Sequence, residues 1–213
     1  MYSVKEMFYT LQGEGANTGR AAVFCRFAGC NLWSGRERDR AGAVCRFCDT
    51  QFVGTDGLGG GKFACATTLA KACAAMAGEA LTRDGAPMLV VLTGGEPMLQ
   101  VDDALIAALH EKGFEIAIET NGTLAVPRAI DWICVSPKAG APVVQTSGDE
   151  LKLVYPQAEL MPEQMEGLAF THRYLQPMAG ADGVVNTTAA VAYCQAHPAW
   201  RLSLQTHKLL GIR

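Results

Sequence analysis

Seven apolar runs separated by helix-like stretches limit what this chain can become. Residues 22–27, 88–92, 114–119, 132–135, 151–154, 174–176 and 201–205 read as strands, and several are too uniformly apolar for a sheet with one wet face. Residues 64–77, 102–112 and 187–196 read as helices, the second closed by Gly113 and the third opened by Asn186 and stopped near Pro198. Strand alternating with helix predicts an α/β fold, a mostly parallel sheet and right-handed crossovers, with functional residues at the C-terminal ends of the strands. A closed eight-fold barrel typically takes about 250 residues. With 213 residues and a long irregular stretch over 31–62, the expectation is an incomplete, TIM-like βα barrel in a single domain over 1–213. The glycine-rich patch 57–61 reads as a surface loop.

Bulk properties exclude several functions. Hydrophobic residues make up 49% and charged residues 18%, so burial can offset the entropy of ordering. A net charge of −3 gives no general attraction to polyanions, and Arg36, Arg38 and Arg40 are interrupted by Glu37 and Asp39, so no direct nucleic-acid partner is expected. No run is long and apolar enough to span a bilayer, and the N-terminus MYSVKEMFYT lacks the order of a signal peptide, which points to the cytoplasm and away from membranes. In that reducing compartment eight cysteines are packing residues, metal ligands or nucleophiles.

Spacing singles out three of them. Cys30 is followed by fourteen residues, Cys45, two residues and Cys48, in a loop over about 28–50. Three thiolates can hold three irons of a cubane and leave the fourth open. Zinc is the alternative, but structural zinc takes four closed ligands, and His172, His197 and His207 are far off in sequence. Cys25, Cys65, Cys73, Cys134 and Cys194 lack ligand spacing and read as packed thiols.

The segment Cys45-Arg46-Phe47-Cys48-Asp49-Thr50 together with Gly94-Gly95-Glu96-Pro97 resembles the radical S-adenosylmethionine superfamily. Alone, the second segment would pass for a turn. The fourteen-residue interval departs from that superfamily's commonest spacing and points to one subfamily. Thr10-Leu11-Gln12-Gly13-Glu14-Gly15, Phe24-Cys25-Arg26-Phe27, Cys48-Asp49-Thr50, Glu119-Thr120-Asn121-Gly122, Ser136-Pro137-Lys138 and Gln205-Thr206-His207-Lys208 resemble the 7-carboxy-7-deazaguanine synthase family over the whole length.

That resemblance implies a carbon–nitrogen lyase of queuosine and 7-deazapurine biosynthesis, contracting 6-carboxy-5,6,7,8-tetrahydropterin to 7-carboxy-7-deazaguanine with loss of ammonia. It implies a [4Fe-4S] cluster on Cys30, Cys45 and Cys48, S-adenosylmethionine, Mg2+ at Thr50, a homodimer, and a one-electron reductant such as a flavodoxin or ferredoxin. S-adenosylmethionine would meet Phe47, Gly95, Glu96, Ser136, Pro137, Lys138, Gln176, Pro177 and Met178, with Glu96 receiving its amino group. Substrate would meet Gln12, Gly13, Glu14, Arg26, Thr93 and the carboxylate of Arg213. No protein side chain is assigned the radical chemistry itself, which belongs to the cofactor.

The residues bear on some of these roles directly. Arg26 sits in an apolar strand and needs an anion, either a substrate carboxylate or an acidic neighbour. Gln12 and Glu14 offer an amide and a carboxylate suited to the amino and lactam edges of a pterin. Thr50 alone would suggest a cap, Lys138 a solvated charge, and His207 packing as readily as chemistry. Two other readings stand beside the synthase: a radical activase acting on a glycine of a partner protein, and a non-catalytic iron–sulfur or zinc module.

Overall fold

The computed structural model describes residues 1–82 and 85–213. Its strands are β1 (Tyr2–Leu11), β2 (Ala21–Phe27), β3 (Gly61–Phe63), β4 (Met88–Gly94), β5 (Phe114–Thr120), β6 (Trp132–Val135), β7 (Ser147–Tyr155), β8 (Ala169–Pro177) and β9 (Arg201–Leu202). The helices are α1 (Ala66–Ala77), α2 (Asp103–His110), α3 (Gly183–Ala196) and α4 (Thr206–Leu210).

All nine strands form one sheet in the order β3-β1-β2-β4-β5-β6-β7-β8-β9. From β2 to β9 every neighbouring pair is parallel, while β1 runs antiparallel to both β2 and β3. The two end strands do not meet, so this is the open, incomplete barrel that the alternation predicts.

The two-residue period of a strand sorts side chains to opposite faces. In β4, Met88, Val90 and Leu92 join the cluster under α1 and α2, whereas Leu89 and Val91 join a smaller cluster on the other face. Thr93 continues that second row. In β2, Val23, Cys25 and Phe27 face the helices and Ala22 the other side, so Arg26 falls on the same row as Ala22 and Phe24. Leu151 and Leu153 of β7 enter the core shared with α3, and the alternate residues Glu150 and Lys152 take the opposite face. The helix-facing row carries the cores; the other row supplies the site.

Several expectations need correcting. The N-terminal segment forms the ten-residue β1. The strand expected over 201–205 stops at Leu202, and its last residues lead into α4. The patch over 57–61 is the surface loop expected as far as residue 60, pinned to β1 by the Gly57 N–H on the Lys5 carbonyl and the Met7 N–H on the Leu58 carbonyl, and only Gly61 enters β3. Cys65 is not a packed thiol, being exposed at the start of α1.

Candidate active site

A cavity of about 450 Å3 opens at the C-terminal ends of the parallel strands. Arg26, Thr93, Glu119, Ser136, Lys152 and Gln176 reach it from β2, β4, β5, the end of β6, β7 and β8. Cys30, Cys45 and Cys48 line one side, and Gln12, Gly13 and Glu14 another. Residues scattered over the sequence meet here because parallel strands expose all their C-terminal ends on one rim.

The cysteine side depends on how the fourteen-residue interval is spanned. Val44 and Cys45 both donate their N–H to the Leu32 carbonyl, at 3.1 and 3.4 Å, so the chain leaves and returns at one point. Arg40, in the short 3-10 turn Glu37–Gly42, donates from one terminal nitrogen to the carbonyls of Arg46 (2.8 Å) and Cys48 (3.2 Å). Its Nε bonds both oxygens of Glu37, and its guanidinium lies over Trp33 with the carbon 4.0 Å from the ring centroid. Asn31 bonds Thr123 and Asn121, tying the loop to the end of β5.

The three thiols suit a cluster by their chemistry. A hydrogen bond from Cys45 holds the Cys48 thiol down at about 6, while that same bond and burial push Cys45 up. Burial raises Cys30, opposed by the backbone N–H groups of Leu32 and Trp33. One member of the pair is thus disposed to ionise, and thiolate is the ligating form. Among the described residues no three acidic, histidine or cysteine side chains converge on a single point suited to one metal ion. Cubane ligands need not converge, since each holds a different iron. Three thiols from one loop thus suit three irons of a cubane. Phe47 and Thr50 line the same side, and Asp49 is paired with Lys208 of α4 at 2.8 Å.

Gly94 and Gly95 meet a constraint from within the protein. A Cβ on Gly94 would overlap the Phe27 backbone, and one on Gly95 the Gly29 carbonyl, so only glycines let the end of β4 press against the root of the cysteine loop. Gly95 and Glu96 donate their N–H to the Phe27 and Gly29 carbonyls. Glu96 follows directly behind the two glycines. Its side chain is fully buried behind the cavity wall, accepting from Met98 N–H, Thr120 Oγ1 and Asn121 N–H at 2.7–2.9 Å. Burial raises its pKa against those three donors. Oε1 accepts two of these bonds and Oε2 one, so the carboxylate keeps capacity for one more donor.

Lys138 is no solvated charge. It curls back onto the Ser136 carbonyl and hydroxyl at 2.5 and 2.6 Å, and burial lowers its pKa while Cys45 and Cys48 raise it. Pro137 is buried beside it without lining the cavity, its carbonyl accepting from Gln157. Gln176, Pro177 and Met178 line the rim, Gln176 accepting from Ser203.

On the far side Lys152 is the centre of charge. Its side chain is 4% exposed and its ammonium lies 2.9 Å from both Glu14 and Glu119. Burial opposes ionisation of Glu14, but the Lys152 charge and hydrogen bonds from Lys152 and Gln205 hold its carboxyl at about 2. Gln12 donates to Glu119 and accepts the Glu14 N–H. Beneath them Glu150 accepts the Ala16 N–H on one oxygen, and its other oxygen has no partner among the described residues; burial raises its pKa. Gly13 packs against His207 so closely that a Cβ would overlap it, and burial lowers the His207 pKa.

Arg26 has the acidic neighbour that its strand demands. Its Nε bonds Glu6 at 3.0 Å across the β1–β2 pair, while its terminal nitrogens have no hydrogen bond among the described residues. Arg213 also approaches Glu6, at 3.6 Å, and its main-chain oxygen accepts from Thr10. Sequence reasoning assigned no site role to Lys152, Glu119, Glu150 or Arg40, although Glu119 stands in a motif that carries the resemblance. For the first three the signal was a charged residue at alternate positions of an apolar strand, where burial demands a partner.

No protein-family profile matches the chain. It is 66% identical over 211 residues to the 7-carboxy-7-deazaguanine synthase of Caulobacter vibrioides, covering 99% of both chains. It is equally similar, at 66% over 211 residues and 99% of each chain, to the synthase of the same name from Bordetella pertussis. Among solved structures it is similar to QueE from Escherichia coli, with a TM-score of 0.70 and 29% identity over 97% of this chain and 94% of that one. The parallel sheet, the three-cysteine loop and this full-length identity together make the chain a member of the 7-carboxy-7-deazaguanine synthase family.

Proposed function

We propose that this cavity converts 6-carboxy-5,6,7,8-tetrahydropterin to 7-carboxy-7-deazaguanine with release of ammonia, towards queuosine and related 7-deazapurines. The observation that carries the reading is a single cavity with three cysteines on one side and a buried, charge-balanced lysine–carboxylate group on the other. A [4Fe-4S] cluster on Cys30, Cys45 and Cys48, with S-adenosylmethionine bound at it, supplies one-electron cleavage and hydrogen abstraction.

The protein's own work is to hold, orient and exclude water. Gly95, Ser136, Lys138, Gln176 and Met178 offer backbone and polar contacts for S-adenosylmethionine beside Phe47. Glu96, held by its three donors, fixes that wall, and Pro137 stiffens the turn between Ser136 and Lys138. The terminal nitrogens of Arg26 are available to a substrate carboxylate while Glu6 holds Nε. Glu14, kept ionised by Lys152, accepts from the pterin's N–H edge; Gln12 supplies the complementary amide, Gly13 the close approach, and Thr93 a hydroxyl. Thr50 gives Mg2+ one weak oxygen ligand, the remainder coming from substrate and water. Arg213 lies at the mouth. A flavodoxin-like or ferredoxin-like donor and a homodimeric assembly in the cytoplasm complete the proposal; no helix among the described residues could cross a membrane.

The test is anaerobic turnover of the reconstituted, reduced protein with S-adenosylmethionine and the pterin, followed by ultraviolet spectrum and product mass. Formation of 7-carboxy-7-deazaguanine, lost on changing Cys30, Cys45 or Cys48 to alanine, is the expected result. Cleavage of S-adenosylmethionine with the pterin left intact would sink the substrate assignment.

A further inference from the structure

The arginines of the long cysteine interval are not equivalent. Arg36, Arg38 and Arg46 are exposed, and among the described residues Arg38 has only a loose pairing with Asp39 at 3.7 Å. The Arg40 side chain is 29% exposed and is held at three places: Nε on both Glu37 oxygens, one terminal nitrogen on the carbonyls of Arg46 and Cys48, and its face on Trp33. Trp33 is itself buried and meets Phe52 edge-on, 5.7 Å between centroids, so the stack is anchored to the body of the protein.

We propose that Arg40 is a positioning residue for the cluster loop, locking two main-chain carbonyls of the Cys45–Cys48 turn, one within it and one at its end. The inference rests on the reading that Cys30, Cys45 and Cys48 hold an iron–sulfur cluster. That turn has no regular secondary structure and few hydrogen bonds of its own. With both carbonyls fixed from outside, the Cys45 and Cys48 side chains keep one spacing whether or not metal is bound. The interval between Cys30 and Cys45 then has a purpose: it carries a planar, doubly donating cation out and back onto the far side of the ligand turn. An ammonium could replace one of the carbonyl contacts but could not at once hold Glu37 and stack on Trp33.

The experiment compares Arg40→Ala, Arg40→Lys and the exposed control Arg38→Ala with the unaltered protein, all reconstituted anaerobically. The readouts are the rate at which cluster absorbance is lost to a chelator, the cluster's midpoint potential, and thermal unfolding of the metal-free proteins. Outer-shell substitutions at metal sites commonly weaken metal binding by ~10–100-fold. Arg40→Ala is therefore expected to lose its cluster roughly ten times faster or more, with an altered potential. Arg40→Lys should fall between, Arg38→Ala should match the unaltered protein, and the metal-free melting temperatures should agree within about 2 °C. Wild-type lifetime and potential in Arg40→Ala would overturn the proposal, as would equal loss in Arg38→Ala, or loss matched by a fall in metal-free melting temperature. If Arg40→Ala does not fold, Arg40→Lys carries the test alone. Should the unaltered protein take up no cluster, the cluster assignment itself fails and takes this inference with it. A normal cluster in both the unaltered and Arg40→Ala proteins removes only the role of Arg40.

Discussion

Lys152 shows how much of the site rests on one side chain. Buried between Glu14 and Glu119, it balances two carboxylates that could not both ionise there without it. Replacing Lys152 with Met should cost about 3–5 kcal/mol of stability at neutral pH, read from urea unfolding of the metal-free protein, because uncompensated buried charge is left behind. Adding Glu14→Gln should restore part of that loss, and a double mutant no more stable than Lys152→Met would contradict the pairing. Gly13 gives a second prediction at this scale. Gly13→Ala places a methyl against both the ring and the backbone of His207. It should raise KM for the pterin more than roughly tenfold, through displacement of groups that position substrate, while cluster content stays unchanged.

Among the elements, those that alternate strictly or bury both faces were the legible ones. Trp132–Val135 matches its expected bounds, and β2, β4 and β5 differ from theirs by one or two residues at an end. β1 was not legible as a strand, since Lys5, Glu6 and Thr10 interrupt its apolar positions and a register irregularity between Val4 and Glu6 breaks the period. β3 and α4 are too short to carry a pattern. The site divides the same way. Motifs whose residues lie together in sequence were readable, whereas Lys152 with Glu14 and Glu119, or Arg40 with the Cys48 carbonyl, exist only through tertiary contact. Caps were less readable: Asn186, read as opening the third helix, lies inside α3, which starts at Gly183, and Asp102, read as helical, is instead the cap of α2, accepting the Leu105 N–H and also the Tyr2 hydroxyl, at 2.6 Å. Asp102→Ala should destabilise the protein by about 1–2 kcal/mol, the range for a lost N-cap, and a thermal melt unmoved by the change would deny the cap its weight.

At the scale of the whole molecule, the rim of the sheet behaves as one electrostatic unit. Glu14 titrates at about 2 in place of an ordinary 4.5, so its pairing adds stability above pH 4.5 that is lost as pH falls towards 2. The amount is about 3 kcal/mol at most. The stability difference between the metal-free protein and its Glu14→Gln variant should therefore narrow as pH is lowered through that window, measured by chemical unfolding at successive pH values. A constant difference would mean that Glu14 is not held by Lys152.

The closure of the cysteine loop on the Leu32 carbonyl has a consequence for how such chains are found. Because departure and return share one anchor, the contour length between the first two cysteines is uncoupled from where the thiols end up. A search keyed to a fixed interval will pass over proteins built this way. The transferable signature is the anchor, with a pair of thiols following wherever the chain comes back to it.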